Sequence, residues 1–190
     1  FLFKKNKVSY LKGHGSFKDN NTITVKESNG STKEIKAKNI VIATGSSVLS
    51  LPNIKVDEEI IVSSTGALSL KQVPKKMIII GGGVIGLEMG SVWSRLGAEV
   101  EVIEYMDHIT PGMDREICDN FLKILKKQGM KFHLSSKVLD VKKHSNGAIV
   151  TVETGGKTIE MESDIVLMSV GRKPNTDGLN LEAIGIKTDP

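Results

Sequence analysis

Cysteine is nearly absent from this sequence, since Cys118 is the single cysteine among 190 residues. One cysteine cannot form an intrachain disulfide, so we expect an intracellular protein and interpret Cys118 as a packed or partly buried thiol on a helix. The histidines at 14, 108, 133 and 144 have none of the spacings typical of metal ligands. No metal site is therefore expected.

Long apolar runs and localised charge are also lacking. The apolar run from Met77 to Leu87 spans 11 residues and is rich in glycine, whereas a membrane-spanning helix needs about 20 residues. The start, Phe1 to Lys5, is unlike a signal peptide, and the missing initiator methionine indicates a chain that begins within a longer protein. The net charge of +4 is scattered, and the cluster Lys4 to Lys7 is not interleaved with aromatic residues. We therefore expect neither a nucleic-acid nor a membrane partner.

A glycine-rich turn is the most informative feature that the sequence does contain. A short apolar strand, Ile78 to Ile80, leads into a turn in which Gly81, Gly83 and Gly86 form a G-x-G-x-x-G pattern. The first glycine permits the tight turn, the second lets the backbone approach a pyrophosphate, and the third lets the helix pack closely on the strand. The pyrophosphate would lie on the free N–H groups at the helix start, where the helix dipole favours negative charge.

A second strand, Val100 to Glu104, ends in a carboxylate 21 residues after Gly83. A carboxylate at this position can accept hydrogen bonds from the ribose hydroxyls of NAD, and it would repel the 2′-phosphate of NADP. The alternative is a glycine-rich strand–helix turn that binds nothing. The order of strand, turn, helix, strand and acid favours NAD binding.

The remaining pattern predicts an α/β fold. We expect a Rossmann-type parallel sheet with helices on both faces and an antiparallel β-meander before the last strand, together with incomplete flanking pieces of a second domain. The predicted helices are 84–96 and 114–128. The predicted strands are 8–12, 23–27, 32–37, 40–44, 78–80, 100–104, 131–134, 138–144, 148–153, 158–161 and 165–170, and residues 13–15 are predicted to form a turn.

Three blocks in this order resemble the class I flavoprotein pyridine nucleotide-disulfide oxidoreductases. They are Ala43-Thr44-Gly45-Ser46, the glycine-rich turn with Glu104, and Gly171-Arg172-Lys173-Pro174-Asn175-Thr176. The stretches Ser63 to Pro74 and Gly83 to Glu88 narrow the resemblance to the members that oxidise dihydrolipoamide. It covers essentially the whole chain. The resemblance implies a partial FAD-binding domain at 1–46, an NAD-binding domain at 47–170, and a return segment of the FAD-binding domain at 171–190.

The same resemblance implies roles for individual residues. The residues expected against FAD are Gly15, Thr44, Gly45 and Ser46. The residues expected around the NAD pyrophosphate are Gly81, Gly82, Gly83, Val84, Ile85, Gly86, Leu87 and Glu88. Along the rest of NAD, Glu104 is expected at the adenosine ribose, Val138 at the adenine and Gly171 at the nicotinamide end.

Glu88 is expected one turn into the helix on its apolar face, where an acid is costly unless it is paired. The resemblance supplies a lysine beside the flavin as its partner, in a segment that this sequence lacks. The alternative is an acid stabilised by the dipole of the first helical turn. The family's redox cysteine pair and His–Glu base pair are missing here, so no catalytic residue is expected in this chain, and Glu88 would support the flavin site.

The resemblance implies a parent enzyme that oxidises protein-bound dihydrolipoamide and passes hydride through FAD to NAD. Its implied partners are the lipoyl domains of 2-oxo acid dehydrogenase complexes and a second copy in a homodimer. The implied location is the cytoplasm in bacteria or the mitochondrial matrix in eukaryotes. The alternatives are another flavoprotein disulfide reductase, an NADH oxidase, or an NAD-binding module without chemistry. The 190-residue chain alone is expected to be inactive and to expose apolar surface at 40–44 and 165–170.

Overall fold

The computed structural model describes residues 1–189, which divide into two compact units. The central unit is Val48–Lys173, and the terminal unit combines residues 1–47 with the segment from 174 onward. These borders lie one and three residues from the domain borders expected from the sequence.

In chain order, the helices and strands are α1 (Leu2–Lys5), β1 (His14–Asp19), β2 (Thr22–Lys26), β3 (Thr32–Lys36), β4 (Ser46–Val48), β5 (Ile61–Val62), α2 (Ser64–Ala67), β6 (Lys76–Ile80), α3 (Val84–Leu96), β7 (Glu99–Ile103), α4 (Arg115–Lys127), β8 (Lys131–His133), β9 (Ser136–His144), β10 (Gly147–Thr154), β11 (Lys157–Ser163), β12 (Ile165–Met168), β13 (Arg172–Pro174) and a 3₁₀ helix (Leu181–Ile184). Within residues 1–189, none of the helices is long and apolar enough to cross a membrane.

A five-stranded parallel sheet of order β5-β12-β6-β7-β8 forms the middle of the central unit. Its inner strands are almost fully buried: Met77–Ile79 have no exposed surface and Ile80 is 3% exposed. Continuous apolar strands of this kind are typical of a parallel sheet that is covered on both faces. The predicted Rossmann-type α/β fold is therefore confirmed.

The two faces of this sheet have different covers. Helices α3 and α4 pack on one face, where Leu87, Trp93 and Leu125 join the core. The antiparallel sheet β11-β10-β9 supplies the apolar residues of the other face, among them Ala148 and Val150. The expectation of helices on both faces is thus wrong, because the apolar alternation of β10 buries one side of the meander against the sheet. Strand β12, expected to expose apolar surface, is instead buried between the two layers.

The ends of the two long helices follow from their sequence. Helix α3 ends at Gly97, whose φ of +112° favours glycine. Helix α4 begins after Asp114, whose carboxylate accepts hydrogen bonds from the N–H groups of Glu116 and Ile117 at 2.9 and 3.4 Å. Both predicted helices are confirmed to within one residue at each end.

A charged turn fixes the connector that leads into β5. The Asp57 carboxylate accepts hydrogen bonds from the N–H groups of Glu59, Ile60 and Ile61 at 2.9–3.0 Å, and it pairs with Lys143 of β9. Burial raises the pKa of Asp57, but the Lys143 ammonium and the three N–H groups outweigh burial and hold the pKa at about 2. The ionised carboxylate therefore ties the connector to the meander.

The terminal unit contains the antiparallel sheet β1-β2-β3, with Phe17, Leu179 and Leu181 in its core. Three expectations are wrong here: residues 8–12 and 40–44 are not strands, and residues 14 and 15 belong to β1 rather than to a turn. The apolar segment 40–44 pairs with no strand among residues 1–189, and Val41 is 86% exposed. An apolar segment becomes a strand only where a neighbouring strand satisfies its backbone.

Candidate dinucleotide site

The glycine turn lies between β6 and α3, at the carboxyl edge of the parallel sheet. Gly81 has a φ of +105°, and a Cβ there would lie 2.5 Å from the Ser169 carbonyl oxygen. A Cβ on Gly86 would lie 2.4 Å from the Gly81 carbonyl oxygen and 2.6 Å from Ser169 Oγ. At Gly83, by contrast, no atom lies within 4 Å of such a Cβ. Packing therefore requires two of the glycines, whereas the third faces open space.

Glu104 directly follows β7 and is held in place from both sides of its carboxylate. One oxygen accepts the Gly82 N–H at 2.6 Å and the other accepts the Met106 N–H at 2.8 Å. The residue is only 7% exposed. Because a carboxylate has about four lone-pair sites, capacity remains for two hydroxyl donors. The carboxylate is thus oriented before any ligand arrives.

A cleft of about 430 Å³ joins the glycine turn to Glu104. Five residues singled out from the sequence line it: Gly81, Gly83, Glu104, Val138 and Gly171. At most 90 positions separate them in the chain. Most of them meet because β6, β7 and β12 end at the same sheet edge, and Val138 joins them because β9 begins beside the end of β7. Ligands of open α/β sheets bind at this edge, and the volume is within the usual range of about 300–1,000 Å³ for ligand pockets. The residues present fit a dinucleotide.

Nine further residues line the same cleft, and none of them was predicted as a site residue. Four of them are Tyr105, Pro111, Ser136 and Lys137, and the other five are Leu51, Ile80, Ile103, Ser169 and Val170. Tyr105 and Lys137 are each adjacent in sequence to a predicted site residue, which is a signal that could have found them. Pro111 is brought in by the loop after β7, for which the sequence carried no signal.

Ser169 was also missed, although it supports the turn directly. Its N–H donates to the Ile80 carbonyl at 2.9 Å, and its hydroxyl lies 3.0 Å from both the Ile80 and Gly81 carbonyl oxygens. These contacts link the end of β12 to the glycine turn. They also explain why the space beside Gly86 is closed.

The other residues of the turn do not all face the cleft. Gly82 and Leu87 are buried in packing, and Leu87 belongs to the core under α3. Val84 and Ile85 line a smaller hollow of about 200 Å³, which shares Gly83 and Gly171 with the main cleft. Of the residues expected around the pyrophosphate at 81–88, some therefore line the cleft, some are buried in packing, and some line the neighbouring hollow.

Glu88 lies outside the cleft. It is exposed and lines a groove of about 540 Å³ together with Arg95, Met113 and Phe121. The expectation that it interrupts the apolar face of α3 is wrong, because that face is formed by its neighbours Leu87 and Gly90 in the buried layer. Glu88 forms no ion pair with any of residues 1–189.

The residues expected against FAD lie in the terminal unit. Gly15 and Thr44 line a hollow of about 140 Å³. The Thr44 hydroxyl donates to the Asn175 carbonyl at 2.6 Å, and Gly45, with a φ of +73°, accepts the Asn175 N–H at 3.0 Å. Ser46 begins β4. The hollow is far below the usual volume of a ligand pocket, so the residues present do not by themselves enclose a complete FAD site.

Two other polar groups of the central unit have structural partners. The thiol of Cys118 is buried, with Sγ 3.1 Å from the Thr110 hydroxyl, as expected for a packed cysteine. The Glu101 carboxylate pairs with Lys76 at 2.8 Å and with His133 at 2.7 Å. Burial raises the pKa of Glu101, but its two partners lower it below the ordinary value. Among residues 1–189, no cluster of three metal-ligating side chains occurs.

The parallel sheet, the glycine turn at its carboxyl edge and the fixed carboxylate of Glu104 together define a dinucleotide-binding Rossmann unit. Comparison with known proteins identifies the family. The chain belongs to the pyridine nucleotide-disulphide oxidoreductase family, whose model matches residues 1–190. The expected cofactors, NAD and FAD, are confirmed as those of this family.

The similarity to individual relatives extends over nearly the whole chain. The chain is 60% identical over 192 residues to the mitochondrial dihydrolipoyl dehydrogenase of Dictyostelium discoideum, covering 99% of this chain and 39% of that protein. The crystal structure of LpdA from Mycobacterium tuberculosis matches with a TM-score of 0.84 at 28% identity, covering 98% and 41%. A Cu(II) complex of RclA, an HOCl-induced flavoprotein disulfide reductase from Escherichia coli, matches with a TM-score of 0.77 at 30% identity, covering 96% and 40%.

These comparisons confirm the resemblance to dihydrolipoamide-oxidising flavoproteins that the motif blocks predicted. The chain spans about two fifths of the length of the relatives that it matches.

Proposed function

We propose that this chain is the NAD-binding portion of a dihydrolipoyl dehydrogenase, flanked by pieces of the FAD-binding domain. The observation that supports the proposal is the single cleft in which the glycine turn, Glu104, Val138 and Gly171 meet, in a chain 60% identical to such an enzyme. Under this proposal, the central unit is the NAD-binding domain and the terminal unit belongs to the FAD-binding domain.

The chain's own residues bind and orient the dinucleotide. Gly83 and the first N–H groups of α3, which have no acceptor within the helix, would hold the pyrophosphate. Glu104 would accept hydrogen bonds from the hydroxyls of the adenosine ribose, and Val138 would contact the adenine. Gly171 lets the backbone approach the nicotinamide end. NAD, when bound, supplies the hydride-accepting ring.

The parent protein, on this proposal, oxidises dihydrolipoamide carried on lipoyl domains of 2-oxo acid dehydrogenase complexes. In a eukaryote it acts in the mitochondrial matrix, in keeping with the mitochondrial names of several relatives. It acts in the cytoplasm in a bacterium. The 190-residue chain alone has no such activity, because its one cysteine cannot form a redox disulfide.

Calorimetric titration of the 190-residue chain tests the proposal. We expect NADH to bind at one site, NADPH to bind more weakly, and the purified protein to be colourless without lipoamide turnover. Equal affinities for NADH and NADPH would contradict the role of Glu104. Stoichiometric flavin or measurable turnover in this chain would contradict the assignment of the terminal unit.

A further inference from the structure

Lys137 is the second charged side chain that lines the cleft, and its position relative to Glu104 is fixed by the backbone. The Ser136 N–H donates to the Glu104 carbonyl at 2.9 Å, and the Ser135 N–H donates to the Met106 carbonyl at 2.8 Å. These bonds hold the start of β9 beside the end of β7. Lys137 therefore lies at the rim of the cleft on the side of the ribose-binding carboxylate.

The ammonium of Lys137 is available to a ligand. Lys137 is exposed and forms no ion pair within residues 1–189. Its register partner on β10 is Glu153, which is also exposed, and the two side chains do not form an ion pair. Of the other lysines on β8 and β9, Lys131 pairs with Glu99 and Lys143 pairs with Asp57, whereas Lys142 forms no ion pair within residues 1–189 and does not line the cleft.

The two charges in the cleft act in opposite directions on the choice of dinucleotide. Among the described residues that line it, Glu104 is the only acid and Lys137 is the only base. A dinucleotide carries two negative charges on its pyrophosphate, and a 2′-phosphate adds roughly 1.5–2 more. Glu104 accepts hydrogen bonds from a free ribose diol and repels a phosphate there, whereas an ammonium attracts either phosphate.

We propose that Lys137 is a second determinant of dinucleotide affinity and choice, whose ammonium binds dinucleotide phosphate and offsets part of the exclusion of NADPH by Glu104. This inference rests on the proposed NAD-binding function. It implies that the cleft already contains the cation that a 2′-phosphate needs, and that the Glu104 carboxylate keeps this cation from favouring NADPH.

The test is a double-mutant cycle on the 190-residue chain, with NADH and NADPH titrated calorimetrically at 50 and 200 mM salt. Lys137→Gln is expected to lower the affinity for NADH about 2–5-fold at the lower salt, the range for one exposed charge contact. The loss of affinity is expected to be smaller at the higher salt, because screening increases. Lys137→Arg is expected to restore the affinity. Glu104→Gln is expected to strengthen NADPH, and adding Lys137→Gln is expected to remove most of that gain.

Lys142→Gln is the matched control, since it makes the same charge change on β9. It lies about four register steps further along the strand once the bulge opposite Thr151 and Val152 is counted, roughly 13 Å at about 3.3 Å per residue, so its charge is screened at 200 mM salt, where the Debye length is below about 8 Å. Lys137→Gln and Lys142→Gln with equal NADH affinities would overturn the inference and leave the proposed function intact. A Glu104→Gln gain in NADPH affinity that survives Lys137→Gln would also overturn it. Failure of the unaltered chain to bind NADH would overturn both.

Discussion

Gly83 and Gly86 lie three residues apart in one motif, and the structure assigns them opposite roles. Replacing Gly86 by Ala would place a Cβ 2.4 Å from the Gly81 carbonyl oxygen and 2.6 Å from Ser169 Oγ. The carbonyl belongs to the turn and cannot yield without shifting α3 away from β6. Overpacking of this kind costs about 1–3 kcal/mol, which corresponds to a loss of roughly 2–12 °C in Tm for a domain of this size.

Gly83→Ala is the matched variant, because it adds the same methyl group where no atom lies within 4 Å. Gly83 has a φ of −77° and a ψ of 179°, which alanine adopts without strain. The stability of this variant should therefore fall by less than about 1 kcal/mol, the usual effect of a change at a helix N-cap. Its NADH affinity should fall at least tenfold, since the methyl group occupies the space proposed for the pyrophosphate.

Thermal unfolding and NADH titration separate the two effects. Trp93 is the only tryptophan, lies in α3 and is 9% exposed, so its fluorescence reports the packing of this helix. Far-UV circular dichroism provides a second probe of the same transition. The reasoning would be refuted by Gly86→Ala with an unchanged Tm, or by Gly83→Ala with unchanged NADH affinity.

Three other predictions concern single carboxylates. Glu104→Ala should weaken NADH binding by about 1–3 kcal/mol, because it strands the ribose hydroxyls; a calorimetric titration with an unchanged Kd would contradict this. Asp57 has a pKa of about 2 in the folded state, below its unfolded value of about 3.9. Its contribution to the free energy of unfolding is therefore complete above pH 4 and is lost as the pH falls through about 2. Urea unfolding at pH 7 and pH 2.5 should show that Asp57→Asn removes about 2 kcal/mol of this pH dependence. Glu88→Gln should leave both Tm and NADH affinity unchanged, and a tenfold loss of affinity would place Glu88 at the dinucleotide.

The sequence was sufficient to predict the geometry of the glycine turn and of Glu104, where each requirement is local. The turn at 81–86 needs glycines for backbone reasons, and the acid after β7 stands at a spacing set by one strand and one helix. These constraints are written into about 25 consecutive residues, so the position of Glu104 beside the glycine turn followed from the motif alone. Val138 and Gly171 were assigned only through the resemblance, since their approach to the cleft depends on β9 and β12.

Ser169 and Lys137 could not be predicted in the same way. The Ser169 hydroxyl forms hydrogen bonds with carbonyl groups nearly 90 positions earlier in the chain. A serine after an apolar strand has no sequence pattern that predicts such a partner. Lys137 is one of many scattered lysines in the sequence. It becomes distinctive only when the bond from the Ser136 N–H to the Glu104 carbonyl brings β9 to the cleft.

Residues 40–44 show the opposite case, in which a strong local pattern predicts the wrong structure. Their apolar side chains favour a buried strand, but a strand also needs backbone partners on its edges. Segment 165–168 has a similar apolar pattern, and it is a strand because β5 and β6 pair with its two sides. Both segments have strand propensity, but only segment 165–168 has neighbouring strands to pair with. The apolar pattern therefore predicts where a strand can form, whereas the neighbouring strands determine whether it does.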